Sequence, residues 1–192
     1  MDNISFTSLI RPVRTFEFDA ALRQIPKKNF VDYPWTCKES VKAVGAYTKD
    51  VLDCTMCGIT DGQNVFMMHI CPTNVENSNF YKIKNYLLKK VDILNKNLSA
   101  LVLGGKQTPE DSRSIALFDN FVNFLESKGI PTTSLRGGTT YEPVNVLYTS
   151  KNDEWLISGS YLDSFINKEA PEMVLGKIFP DIKLAPDDII TK

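Results

Sequence analysis

The sequence predicts an α/β fold in the broad α+β sense, a mixed or antiparallel β core with two main flanking helices. Three observations carry this. Short apolar runs rich in β-formers flank Asp61-Gly62-Gln63-Asn64, a four-residue hairpin loop that begins with Asp-Gly. Two longer stretches, one over Asn79–Asn95 and one after Thr108, repeat apolar residues at helical spacing. Further short apolar runs are bounded by glycine, proline or polar clusters, as strands are.

In chain order, Asp19–Gln24 reads as a short helix stopped by Ile25-Pro26, because the residue before a proline disfavours the α region. Pro26-Lys27-Lys28-Asn29 reads as a turn. Val51–Thr60 and Val65–Cys71 read as the two strands of the hairpin. Phe80, Ile83, Leu87, Val91 and Leu94 give the first long helix its buried face, with Lys82, Lys84, Lys89 and Lys96 on other sides. Ser99–Leu103 is a buried-type strand ended by Gly104-Gly105. Thr108-Pro109-Glu110-Asp111 then reads as a helix start: threonine caps, proline fits the first turn and the acids suit the positive dipole end. Ile115, Leu117, Phe118, Phe121, Val122 and Phe124-Leu125 supply that helix's buried face; Gly129 closes it and Ile130-Pro131 prevents continuation. Thr132–Leu135, Val144–Tyr148 and Trp155–Ile157 read as strands. The end of the chain, with Pro171, Pro180 and Pro186 and weak periodicity, reads as a packed or partly loose tail.

Length and composition bound the function. A chain of 192 residues suits one domain, residues 1–192, and can bury enough surface to fold without staples. A formal net charge of −1 argues against a general nucleic-acid binder, which needs a basic face. No stretch approaches the ~18 apolar residues of a membrane span. The first residues lack a basic start followed by an apolar run, so no secretory signal peptide is expected. The cysteines are then more readily free thiols, metal ligands or a catalytic thiol than disulfides.

The chemistry-bearing residues cluster. His69 is the only histidine in the chain, and Cys54, Cys57 and Cys71 lie within 15 positions of it. Three readings stand. Cys54 could be a thiol nucleophile with His69 as its base, because amide chemistry by a thiol requires removal of its proton. Cys54 lies seven residues before Asp61 and His69 five after Asn64, so a hairpin brings them near each other. Thr48, six residues before Cys54, is placed to orient the imidazole from the loop leading into the strand. The second reading is a zinc site from Cys54, Cys57, His69 and Cys71, which are ligand types for a tetrahedral centre. The third is a thiol–disulfide pair at Cys54 and Cys57. Gly104-Gly105-Lys106 and Arg136-Gly137-Gly138-Thr139 lack full phosphate-binding spacing and read as a strand exit and a turn.

Taken together, Thr48, Cys54 and His69 resemble the active site of protein-glutamine deamidases of the CheD and cytotoxic necrotizing factor type. In the CheD branch a threonine lies six residues before the cysteine and a histidine ends the next strand. Leu101-Val102-Leu103-Gly104-Gly105-Lys106, the helix up to Gly129, and Leu135-Arg136-Gly137-Gly138-Thr139 followed by Val144–Tyr148 are similar to that family's downstream elements. The resemblance covers residues 44–158, with an N-terminal extension over 1–43 and a C-terminal tail over 159–192. Leu52-Asp53 stand where the family carries Gly-Ser or Ser-Gly. The resemblance implies a CheD-like fold and a cysteine-dependent glutaminase acting on a partner protein that bears a reactive glutamine. It implies Cys54 as nucleophile, His69 as base, Thr48 as orienting group, and no metal or organic cofactor. It also implies a cytoplasmic protein, or an effector or toxin delivered to a host cytosol without a signal peptide. The alternatives are a zinc-stabilised Cys/His binding module and a catalytically inactive CheD-like domain that binds a partner.

Overall fold

A computed structural model describes residues 8–31, 37–40, 45–72, 77–106, 112–139 and 142–192. The strands are β1 (Leu9–Pro12), β2 (Cys37–Ser40), β3 (Ala46–Val51), β4 (Thr55–Thr60), β5 (Val65–Ile70), β6 (Ser99–Gly104), β7 (Thr132–Arg136), β8 (Val144–Thr149), β9 (Glu154–Ser158), β10 (Asp181–Lys183) and β11 (Ile189–Ile190). The helices are α1 (Thr15–Leu22), α2 (Asn77–Lys90), α3 (Arg113–Ser127), α4 (Ser160–Asp163) and α5 (Pro171–Gly176).

The strands build two sheets, one of five strands in the order β11-β1-β9-β8-β3 and one of six in the order β10-β7-β6-β4-β5-β2. Each mixes parallel and antiparallel pairs: β1 runs parallel to β9 and β11, and β6 to β7, whereas β4 is antiparallel to both neighbours. The fold is therefore α+β with a mixed β core and flanking helices, as the sequence predicts.

Four layers follow from the side-chain alternation of strands. Between the sheets, Ile10, Val146, Trp155 and Ile157 of the first meet Met56, Met67, Leu101 and Leu103 of the second. The outer face of the six-stranded sheet is covered by α2 and α3, where Leu87, Leu117 and Phe121 pack on Ile59, Met68 and Val102. The outer face of the five-stranded sheet is covered by α1, whose Phe18 packs with Tyr47, Leu147 and Leu156. Strands β4, β5 and β6 are thus buried on both faces along their whole length, which is why they read as continuous apolar runs.

Several boundaries differ from the sequence expectation. Val51–Thr60 is two strands in two sheets: Val51 ends β3, residues 52–54 turn, and β4 begins at Thr55. Apolar residues on both sides of the turn hide the break. The expected helix over Asp19–Gln24 runs over Thr15–Leu22, because the Glu17 carboxylate accepts the Arg14 N–H at 3.0 Å and the Asp163 carboxylate accepts the Thr15 N–H at 2.9 Å. The first long helix ends at Lys90, short of Asn95. The second ends as expected: Gly129 sits at φ 71, and the N–H groups of Gly129 and Ile130 bond back to Glu126 and Leu125 in a Schellman closure. The Thr108–Asp111 helix start lies outside the described residues. The tail forms sheet: β10 pairs with β7, and β11 adds to β1, which itself pairs with β9.

One contact sets the separation of the sheets. Trp155, packed at a tilt against Tyr148 at a centroid distance of 4.8 Å, lies over Gly58 of β4. A Cβ on Gly58 would come 2.2 Å from the indole ring. Gly58→Ala is expected to destabilise the fold by about 1–3 kcal/mol through overpacking, although alanine suits a strand better than glycine. Urea unfolding of the two proteins measures the difference, and an unchanged midpoint would contradict this account.

Candidate active site

The site forms where the chain crosses between the sheets. Strand β3, an edge of the five-stranded sheet, pairs Thr48 with Val146 and Val51 with Val144. Between those pairs β3 has one residue more than β8, a bulge at which Asp50 adopts φ 57 and donates its N–H to Asn145 Oδ1 at 3.1 Å. The chain then turns through Leu52, Asp53 and Cys54 and enters β4, with β3 lying over β4 and β5.

Alternation aims two polar side chains at each other. On β3, Ala46 joins the core between the sheets and Tyr47 the α1 side, so Thr48 points between the sheets. On β5, Val65 and Met67 face the core between the sheets, whereas Phe66, Met68 and Ile70 face the helices, so His69 points toward Thr48. Thr48 Oγ1 lies 2.7 Å from His69 Nδ1 and 2.7 Å from the Val31 carbonyl oxygen. A carbonyl only accepts, so the single hydroxyl proton goes to Val31 and Oγ1 accepts from Nδ1–H. This fixes the neutral imidazole as the Nδ1–H tautomer and leaves the lone pair on Nε2. Thr48 is fully buried and His69 nearly so, and water does not compete for this bond.

The sequence reading placed Thr48 in a loop; it stands in a strand of the opposite sheet. The role of Val31 was not anticipated, since a main-chain acceptor 17 residues upstream leaves no mark in side-chain chemistry. Val31 is held by its own N–H, which donates to Tyr47 O at 2.8 Å.

The hairpin register places the cysteines. Thr55 pairs with Ile70 as the last rung of the ladder and Met56 with His69; Cys54 and Cys71 flank that last rung, and their thiols are in hydrogen-bond contact. His69, paired with Met56, lies at the same end of the hairpin as Cys54. Cys57 pairs with Met68 and belongs to the core beneath the helices. The proposed zinc ligands Cys54, Cys57, His69 and Cys71 are thus divided between two faces of one sheet, which excludes a single tetrahedral centre built from all four. Among the described residues no group of three or more His, Cys, Asp and Glu side chains is arranged to hold a metal ion. The same alternation separates Cys54 from Cys57 as a redox pair. The cross-strand partner of Cys54 is Cys71, which the sequence reading missed. The signal was present: the two cysteines lie seven residues outside the loop, one on each side.

The surroundings of Cys54 disfavour its charged form. Its Sγ–H donates to Asp53 Oδ1 at 3.7 Å. Burial, then Cys71, then the Asp53 carboxylate push the thiol well above its usual range. The Asp53 carbonyl accepts from Ser114 Oγ at 2.5 Å, tying the turn to the first residues of α3. Gly104, at φ 126, ends β6 against the Cys54 peptide; a Cβ there would meet the Cys54 carbonyl oxygen at 2.2 Å. Gly104-Gly105 is therefore a strand exit that admits the site's backbone. Arg136 is engaged by Asp119 and lies 3.9 Å from Asp181, and Gly137 donates its N–H to Gly104 O, so this segment is a pinned turn.

Lys106 follows directly and is only 1% exposed. Burial lowers its ammonium group to about 8, against the opposing pull of Asp53 and Glu142.

No protein-family model matches the chain, and no curated protein matches it. No helix among the described residues is long and apolar enough to cross a membrane.

Two outcomes follow from this geometry. Because the chain has one histidine, a long-range 1H–15N spectrum shows a single imidazole. It should report the Nδ1–H tautomer in the wild type, and Thr48→Val should shift the ring toward Nε2–H; an Nε2–H wild-type ring would overturn the assignment. The second concerns Lys106. The folded chain releases this proton near pH 8, the unfolded chain near 10.5, so the unfolded state binds more protons between them and stability rises with pH there. The raised Cys54 thiol works in the opposite sense above its ordinary value of 9.0, so the clean window is pH 8 to 9. Denaturation midpoints should climb across that window in the wild type relative to Lys106→Met.

Proposed function

We propose that the chain is a cysteine-dependent protein-glutamine deamidase, hydrolysing a glutamine side-chain amide to glutamate and ammonia on a partner protein. The observation that carries this reading is the Val31–Thr48–His69 relay, which presents an imidazole of defined tautomer on the sheet face that bears Cys54. The buried, raised thiol calls for a general base acting during attack rather than a standing thiolate. His69 Nε2 takes the Cys54 proton as Sγ bonds to the carboxamide carbon. Main-chain N–H groups at the turn and the positive end of α3 are the groups available to the developing oxyanion. The imidazolium returns the proton to departing ammonia, then the imidazole activates water to release the thioester as glutamate. An amine in place of water would give transglutamination. The chemistry requires no metal or organic cofactor.

A second reading has its own support. The Asp53 carboxylate and the burial of Cys54 oppose thiolate formation, as a catalytically inactive domain that binds a partner through the same groove would tolerate.

The test is incubation of the full chain with a panel of glutamine-bearing proteins that includes casein, reading ammonia release and the amide-to-acid mass change. Wild type should convert glutamine, Cys54→Ser should fall to background, and His69→Asn should lose about 10²–10⁴-fold. Equal conversion by Cys54→Ser would sink the deamidase reading. Full inertness of the wild type across the panel, with stable complexes formed, would favour the binding domain.

A further inference from the structure

We infer that Cys54 and Cys71 form a reversible disulfide across the open end of the β4–β5 hairpin, which makes the site sensitive to hydrogen peroxide. Cys54 and Cys71 flank the Thr55–Ile70 rung that ends the ladder, one residue beyond it on each side of the hairpin, and their side chains are in contact. The last rung of an antiparallel ladder has Cα atoms about 4.5–5.5 Å apart, so residues that flank it start close to the roughly 4.4–6.8 Å that a disulfide spans. Both are buried, at 5% and 4% exposure, which admits a small oxidant and excludes bulky disulfides. Cys57 is on the far face of the sheet and cannot compete.

The chemistry balances in two steps. Cys54 Sγ passes its proton to His69 Nε2 and attacks peroxide; an S–O bond forms, the O–O bond breaks, and the departing hydroxide takes the imidazolium proton as water. Cys71 Sγ then attacks the sulfenic sulfur; the S–S bond forms, the S–O bond breaks, and hydroxide leaves with the Cys71 proton as a second water. Two thiols lose two electrons and hydrogen peroxide is reduced to two waters. The disulfide withdraws Cys54 from nucleophilic work and holds it short of irreversible oxidation. That consequence for activity rests on the deamidase reading; the disulfide itself does not.

The experiment treats the full chain with hydrogen peroxide and maps its cysteines by mass spectrometry without reduction. Wild type should yield a Cys54–Cys71 linked peptide and lose Cys54 alkylation, both reversed by dithiothreitol. Cys71→Ser should instead carry Cys54 to sulfinic acid, with alkylation not recovered. Cys57→Ala should link as the wild type does, which keeps the test standing if Cys71→Ser fails to fold. A wild type that reaches sulfinic acid at Cys54 with no link, or that links Cys54 elsewhere, overturns the inference. A protein that links but, when reduced, releases no ammonia sinks the deamidase reading alone; one that deamidates and never links sinks only the disulfide.

Discussion

The register of the β4–β5 hairpin decides which face each chemistry-bearing side chain presents. The loop fixes that register: Asp61 Oδ1 accepts the N–H groups of Gln63 at 3.0 Å and Asn64 at 2.6 Å, and Thr60 is paired with Val65. A slip of one residue would turn His69 and Cys71 toward the helices and bring Phe66, Met68 and Ile70 between the sheets. Those three side chains are packed against α2 and α3, and Met67 is packed between the sheets. Core packing on both faces thus enforces the direction of His69, and no separate device is needed to aim it.

The Cys54 environment shows two opposed electrostatic demands. The turn that carries Cys54 is tied to the start of α3 by Ser114, near the positive end of that helix. The site's nearest carboxylate, Asp53, accepts the Cys54 proton's hydrogen bond and holds the thiol neutral. Lys106 is buried as well, and that burial lowers its ammonium group to about 8 against the pull of Asp53. A site so arranged is quiet at rest. Under the proposed deamidase reading, proton transfer to His69 comes first, so the orientation of that ring matters more than where a thiolate already stands.

Much of this was legible in the residues. The hairpin loop, the two long helices and the strands after them are local patterns, and they survive in the fold with shifts of a few residues. The face alternation that separates Cys57 from Cys54 was equally readable, as was the symmetric placement of Cys54 and Cys71 about the loop. What stayed hidden depends on contacts between distant parts of the chain. The division of the core into two sheets turns on residues 52–54, which no glycine or proline marks. The pairing of Leu9 with Ile189 and with Glu154 joins segments that carry too little periodicity to announce themselves. The tautomer of His69 depends on the Val31 carbonyl, which any residue type would supply.

His69 and the threonine that orients it sit on different sheets, and that couples the fold to the tautomer of the ring. His69 belongs to the sheet that also carries Cys54, and Thr48 to the opposing one, so the 2.7 Å bond between them holds only while the two sheets keep their spacing. Trp155 over Gly58 sets that spacing within the same core. A change that moves the sheets apart by a fraction of an ångström first lengthens a buried hydrogen bond, and a buried Nδ1–H without an acceptor costs about 1–3 kcal/mol. The ring can recover that loss by moving its proton to Nε2, which removes the lone pair from that nitrogen. Packing defects far from Cys54 should therefore show in the histidine's tautomer before they unfold the protein.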